Sequence, residues 1–256
     1  MILDTLVAAT KQRISRDMEQ IPTEEMKRLA AAVSRPAFAF ENQLKKPGIH
    51  FICEVKKASP SKGLIAPDFP YVQIAKEYED AGADCISVLT ETDYFLGSDA
   101  YFKEIRREVK IPMLRKDFTI HPYMIYQAKA MGADAVLLIC AILSEAELKE
   151  NLKICNELGL SALVETHDEA EVAMAVRAGA RILGVNNRNL KTFEVDIQNS
   201  ERLRSLVPDD ILFVAESGIR TAEDVRALKA AGVNGVLIGE TLMRSRDKKA
   251  TLQGFM

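Results

Sequence analysis

Two rhythms alternate along the chain. Short apolar runs, FICEVK (51–56), CISVLT (85–90), PMLRK (112–116), AVLLI (135–139), SALVE (161–165), ILGVN (182–186), LFVAE (212–216) and GVLI (235–238), have the composition of buried strands. Between them, segments such as 71–81, 122–131, 144–158, 167–178 and 221–231 repeat apolar residues at helical spacing. Ser144 with Glu145 and Glu147, and Thr221 with Glu223 and Asp224, set a hydroxyl and acids where a helix begins. A recurring tetrapeptide marks where helix gives way to strand: AGAD at 81–84, MGAD at 131–134, AGAR at 178–181 and AGVN at 231–234, with Gly159 in a looser copy. Its glycine suits the left-handed turn that closes a helix.

Strict β-α alternation predicts an α/β protein with a parallel sheet covered by helices. Eight such units favour closure into a (β/α)8 TIM barrel over a doubly wound sheet. Residues 1–46 precede the first run and read as an N-terminal helical extension. Ile2, Leu3, Leu6 and Val7 form one apolar stripe and Met26, Leu29, Ala30 and Val33 another, suited to lying across a barrel end. With no linker or shift in composition, residues 1–256 are expected to form a single barrel domain.

Five of the runs stop on a charged or amide side chain. Strand side chains alternate faces, so Glu54 and Lys56 share the face of Ile52, Lys116 and Phe118 that of Leu114, and Glu165 that of Leu163. Asn186 and Arg188 fall with Gly184, and Glu216 with Val214. These groups would converge inside one rim of the barrel, where an unpaired buried charge costs on the order of several kcal/mol. Lys56 and Glu54 could simply be an ion pair filling the interior. Repeated five times, the pattern favours a wet functional pocket at the C-terminal strand ends.

The 256 residues, 48% hydrophobic and 28% charged, suit one barrel. A net charge of −3 gives no footprint for nucleic acid or an anionic membrane, so any anion must be captured locally. Cys53, Cys85, Cys140 and Cys155 show no CxxC spacing and are expected to be free buried thiols in a reducing, cytoplasmic setting. No signal peptide or membrane anchor is expected from the charged N-terminal segment. His50, His121 and His167 lack metal-ligand spacing, so no metal is expected.

ESGI at 216–219 and IGET at 238–241 put glycine at the last two strand ends, where backbone amides can approach a phosphate. Ser59-Pro60-Ser61-Lys62-Gly63 should form a loop after the first strand, which could equally be a mobile lid. Phe95, Phe118, Leu137 and Leu190 fall near predicted strand ends and could wall a pocket for an aromatic group.

Six segments in order, ICEVKKASPSKG, LTETDYFLGS, LRKDF, LVETH, GVNNRNL and VAESGI, make the chain resemble indole-3-glycerol phosphate synthases over its whole length. The resemblance implies a lyase of tryptophan biosynthesis that closes 1-(2-carboxyphenylamino)-1-deoxyribulose 5-phosphate into an indole with loss of carbon dioxide and water. It implies catalytic roles for Glu54, Lys56, Lys116, Glu165, Asn186, Glu216 and Ser217, and pocket roles for Ser59, Phe95, Phe118, Leu137, Arg188 and Leu190. Phosphate would meet the backbone at Gly218, Gly239 and Glu240, the last standing where some members have serine. No cofactor or metal is implied, and the partner is a small phosphorylated molecule; a separate pathway enzyme could associate weakly.

Within that resemblance Lys116 is the candidate acid, its pKa expected to be lowered towards neutrality beside Phe118 and other lysines. Glu165 is the candidate base, Lys56 the rival acid for dehydration, and Arg188 the fork for the aromatic carboxylate. Another phosphate-binding barrel, such as the phosphoribosylanthranilate isomerase type, or a non-catalytic scaffold, would leave ICEVKKASPSKG and the lysine of LRKDF unexplained.

Overall fold

The computed structural model describes residues 2–189 and 192–256. Three helices lead, α1 (Ile2–Gln20), α2 (Thr23–Ala31) and α3 (Ala39–Leu44), followed by β1 (His50–Val55) and the short strands β2 (Ala58–Ser59) and β3 (Gly63–Leu64). Next come α4 (Tyr71–Ala81), β4 (Cys85–Leu89), α5 (Asp99–Glu108), β5 (Met113–Lys116), α6 (Pro122–Ala130) and β6 (Ala135–Ile139). After a 3-10 turn at Cys140–Ile142 follow α7 (Glu145–Glu157), β7 (Ser161–Thr166), α8 (Glu169–Ala178), β8 (Ile182–Asn186) and α9 (Gln198–Arg204). The chain continues through β9 (Leu212–Glu216), α10 (Ala222–Ala230), β10 (Gly235–Ile238), α11 (Glu240–Arg244) and α12 (Lys248–Gln253).

Strands β1 and β4 to β10 pair in parallel, each with its neighbours in sequence, and β10 returns to β1 to close the barrel. This is the (β/α)8 architecture that the alternation predicts, with strand ends displaced by at most a residue. The segment after β1 differs from expectation. Instead of an irregular loop, β2 and β3 form a small antiparallel hairpin pairing Ala58 with Leu64 and Ser59 with Gly63.

Parity along the strands holds. Ile52, Leu114, Leu137, Leu163, Ile182, Val214 and Leu237 pack inside the barrel. Phe51, Cys53, Val55, Ile86, Val88 and Val164 face outward, where α4, α5 and the other helices cover them. Ser144 and Thr221 each cap their helix in a reciprocal capping box, with Glu147 and Asp224 respectively.

The tetrapeptide repeat has a second function beyond its glycine. The glycines of its four copies lie at φ +101, +86, +86 and +81. In three copies the last side chain accepts a backbone N–H from the next strand over: Asp84 from Phe51 at 2.9 Å, Asp134 from Met113 at 2.9 Å, and Asn234 from Phe213 at 2.8 Å. The repeat therefore turns the chain and ties the lower rim of the barrel in one stroke.

The N-terminal helices reach both ends. Phe40 and Leu44 of α3 are fully buried against Ile52, Cys85, Ala135, Ile182 and Leu212 and plug the lower end. On α1, Ile2, Leu3 and Leu6 line the cavity at the upper end. Among the described residues no helix is long and apolar enough to cross a membrane. All four cysteines are buried and free.

Candidate active site

Closing the barrel gathers the upper strand ends around one cavity of about 450 Å³. It is lined by Glu54 and Lys56 from the end of β1, Ser59 from β2, Lys116 from β5, Leu137 from β6, Glu165 from β7, Asn186 from β8 and Glu216 from β9. Phe95, Phe118, Arg188, Ser217, Gly218, Gly239 and Glu240 join from the loops and the start of α11. Thus residues spread over some two hundred positions meet at one place, as parity requires. Leu190 lies outside the described residues.

Lys116 is the hub. Its Nζ donates to Glu216 Oε2 at 2.6 Å and to Glu165 Oε2 at 3.0 Å. Asn186 Nδ2 donates to the other oxygen of Glu165 at 3.2 Å, while its own oxygen accepts the backbone N–H of Arg188 at 3.0 Å. Across the cavity Lys56 is in direct contact with Glu54, whose second oxygen accepts from Ser87 at 3.4 Å.

The electrostatics reverse one expectation. Burial disfavours the Lys116 charge, but Glu165, Glu216 and Glu54 outweigh it and hold the ammonium above the ordinary lysine value, not near neutrality. Sequence parity placed the carboxylates inside but did not weigh three of them against one lysine. Burial pushes Glu165 upward too, yet Lys116 and His167 more than compensate and keep it ionised, well below the usual carboxylate range. Glu216 goes the other way: burial, with Glu165 and Glu54 nearby, raises it to about 7 against the pull of Lys116. Its Oε1 is buried and has no hydrogen-bond partner among the described residues. The cavity therefore holds a charged donor, an ionised acceptor and a carboxyl that titrates near neutrality.

Two glycines make room for these carboxylates. A Cβ on Gly184 would strike Glu216 Oε1, and one on Gly239 would strike Glu54 and sit 2.8 Å from Lys56 Nζ. Gly239 thus leaves space for the Glu54–Lys56 pair.

At the last two strand ends the backbone is exposed to the cavity. Ser217 lies in the left-handed region at φ +66, which costs a non-glycine residue roughly 1–2 kcal/mol, and Gly218 follows at φ +85. Asn187 holds this turn by donating to the Ser217 carbonyl at 3.1 Å, its own oxygen accepting from Ser200 Oγ at 2.7 Å. Glu240, heading the short α11, stands 3.1 Å from Arg244, 3.7 Å from Lys62 and 3.9 Å from Arg188. Arg188 also donates to the Phe193 carbonyl at 3.2 Å.

The opposite wall is apolar. Phe95 and Phe118 tilt against each other at 6.0 Å between centroids, and Leu137 lies below. Glu91, a buried residue that parity does not single out, carries the Phe95 loop: its carboxylate accepts the N–H groups of Asp93, Tyr94 and Phe95 at 2.8–3.0 Å.

Sequence reasoning missed three other supports. Asp117, next to Lys116, accepts from Arg13 of α1 at 2.6 Å and from Thr90, and it faces Arg115 at 3.6 Å. Asn187 has the signal of the doubled asparagine in GVNNRNL but points away from the cavity. His167 shares parity with Glu165 and stands 3.4 Å from it, a relation that a search for metal-ligand spacing passes over.

Comparison with known proteins gives the family of the chain. A family model described as "Indole-3-glycerol phosphate synthase" matches residues 3–255. The protein of that name from Ruminiclostridium cellulolyticum is 60% identical over 253 residues, covering 98% of this chain and 97% of its own. That from Lachnoclostridium phytofermentans is 55% identical, covering 99% and 98%. Among solved structures, 3-hexulose-6-phosphate synthase from Salmonella typhimurium superposes with a TM-score of 0.67 at 15% identity, over 81% of this chain and 96% of its own, a likeness of fold alone.

Proposed function

Because the chain belongs to the indole-3-glycerol phosphate synthase family, we propose that it catalyses the family's ring closure. In this reading 1-(2-carboxyphenylamino)-1-deoxyribulose 5-phosphate is converted to indole-3-glycerol phosphate, carbon dioxide and water. The observation that carries it is Lys116 held between Glu165 and Glu216 at the floor of a cavity with one apolar wall and one glycine-lined rim.

The substrate's aromatic ring lies against Phe95, Phe118 and Leu137, its carboxylate towards Arg188 and Lys56, and its phosphate at the backbone of Gly218, Gly239 and Glu240. Attack of the ring carbon on the ketone builds negative charge on oxygen, and Lys116 delivers a proton there. The high resting pKa of Lys116 comes from its carboxylate partners, so turning from them towards the substrate makes it a better acid. Loss of carbon dioxide restores the aromatic ring, and the apolar wall limits hydration of the departing carboxylate.

Departure of the new hydroxyl as water takes one proton from a lysine, while Glu165 accepts one near the aniline nitrogen. Lys56 and Lys116 are rival donors at this step, and single-turnover kinetics of Lys56→Ala and Lys116→Ala separate them by which phase slows. Asn186 and Glu216 hold the ribulose hydroxyls, helped by Ser217 at the turn, and Ser59 closes the cavity from the β2 side. Four buried thiols suit a reducing, cytoplasmic setting.

The test is direct: purified protein incubated with the carboxyphenylamino substrate should develop indole fluorescence. Folded protein that yields no such product sinks the proposal.

A further inference from the structure

Among buried ionisable groups outside the cavity, one stands against the proposed base. His167 follows β7 directly, and its side chain is largely enclosed without lining the cavity. Its Nε2 faces Glu165 Oε1 at 3.4 Å and its Nδ1 lies 3.0 Å from Glu171 Oε2. Nε2 makes no hydrogen bond of ordinary length among the described residues, although it is buried. Glu171 is itself fixed. It accepts the His167 backbone N–H at 2.8 Å, and its own N–H is held by the α8 cap, Asp168, at 2.9 Å. Asn199 of α9 donates to the His167 carbonyl at 3.3 Å.

Resting on the reading above, we propose that His167 is a positioning residue for Glu165, clamping the oxygen that Lys116 does not hold and tying it to Glu171 at the start of α8. The need for such a group follows from the reaction. When Lys116 turns to the substrate, Glu165 keeps only the neutral Asn186 amide on the cavity side, and a buried carboxylate without a cation drifts towards its protonated form. An imidazolium outside the cavity keeps its place throughout and preserves the ionised base until its proton arrives.

The charges around the ring favour that state. Glu165 faces it from β7 and Glu171 from α8, and Lys116 stands beyond Glu165. Cys140, on the 3-10 turn, stays a neutral thiol because burial, with Glu171 and Glu165 nearby, pushes it up to about 12. Burial by itself would lower the His167 pKa, but the two contacting carboxylates outweigh it and raise it to about 10.

Nitrogen-15 NMR of the intact protein tests this without turnover, since only three histidines need assignment. At about pH 8 both His167 ring nitrogens should be protonated, and Glu165→Gln should bring its titration down towards the ordinary value of about 6.5. A neutral His167 ring at about pH 8 overturns the proposal, whatever the enzyme does with substrate. In kinetics, His167→Gln should lower kcat on the order of tenfold with little change in KM. Its acid limb should move to higher pH, because Glu165 has lost a cation. Glu171→Gln should move that limb in the same direction by less. A His167→Gln profile superimposable on the wild type is the second result that overturns it. Should the wild type fail to turn over the substrate, the function fails while the NMR result still decides His167.

Discussion

At the scale of single residues, the cavity works by unequal treatment of similar groups. Three carboxylates lie near Lys116, yet Glu165 is held ionised and Glu216 titrates near neutrality, because both share Lys116 but only Glu165 has His167 as a second partner. We expect Lys116→Ala and Glu165→Gln each to lower kcat by about 10²-fold, the usual worth of one acid or base, with near wild-type turnover removing the role assigned. The glycines are held to the same standard of space. Gly184→Ala forces a methyl group into Glu216, so it should cost about 1–3 kcal/mol of stability and displace the carboxyl from Lys116. A stability and kcat equal to wild type would show that Glu216 can move aside freely. The pKa of Lys116 was not legible in sequence. Neighbouring lysines are visible in a string of letters, whereas the carboxylates that decide the shift stand 49 and 100 positions away.

Elements were legible in proportion to their periodicity. Barrel strands announced themselves as apolar runs bounded by the glycine turns, and their parity foretold which side chains face inward. The β2–β3 hairpin has strands of two residues, too short for any period, and it emerged as a loop. Helix α3 spans six residues, so nothing in its letters foretold that Phe40 and Leu44 plug the lower barrel end. The fastening of α1 was hidden for a different reason: Arg13 and Asp117 are 104 positions apart, and charge complementarity at that distance gives no local signal. That ion pair joins the extension to the residue beside Lys116, with Asp117 fully buried. Arg13→Ala leaves Asp117 with Arg115, Thr90 and the Phe118 N–H as partners, so we expect a loss of about 2–3 kcal/mol, at or just below the range for a broken buried pair. Urea unfolding would measure it, and an unchanged midpoint would mean that α1 is held by its apolar stripe alone.

For the whole molecule, these local shifts combine into a dependence of stability on pH whose sign can be worked out. Asp84, Asp117 and Glu165 are held below their ordinary values by their cationic and hydrogen-bonding partners despite burial. Their contribution is in place above about pH 4 and is lost as the pH falls. Glu216 and His167 are raised, to about 7 and about 10, so their contributions are complete below about 4.5 and 6.5 and disappear as the pH climbs through the raised values. His50, raised chiefly by its bond to Asp84, adds to the alkaline loss. The two families of groups leave a window of greatest stability well on the acid side of neutrality, at about pH 4.5–5. Thermal unfolding across the range should show Tm highest there and declining towards about pH 9, and Glu216→Gln should flatten the part of the decline between about pH 4.5 and 7. A Tm still rising above about pH 8 would contradict this balance. A neutral working pH then lies on the falling side of the curve, because the Glu216 carboxyl that the site keeps beside Lys116 is one the fold would rather hold protonated.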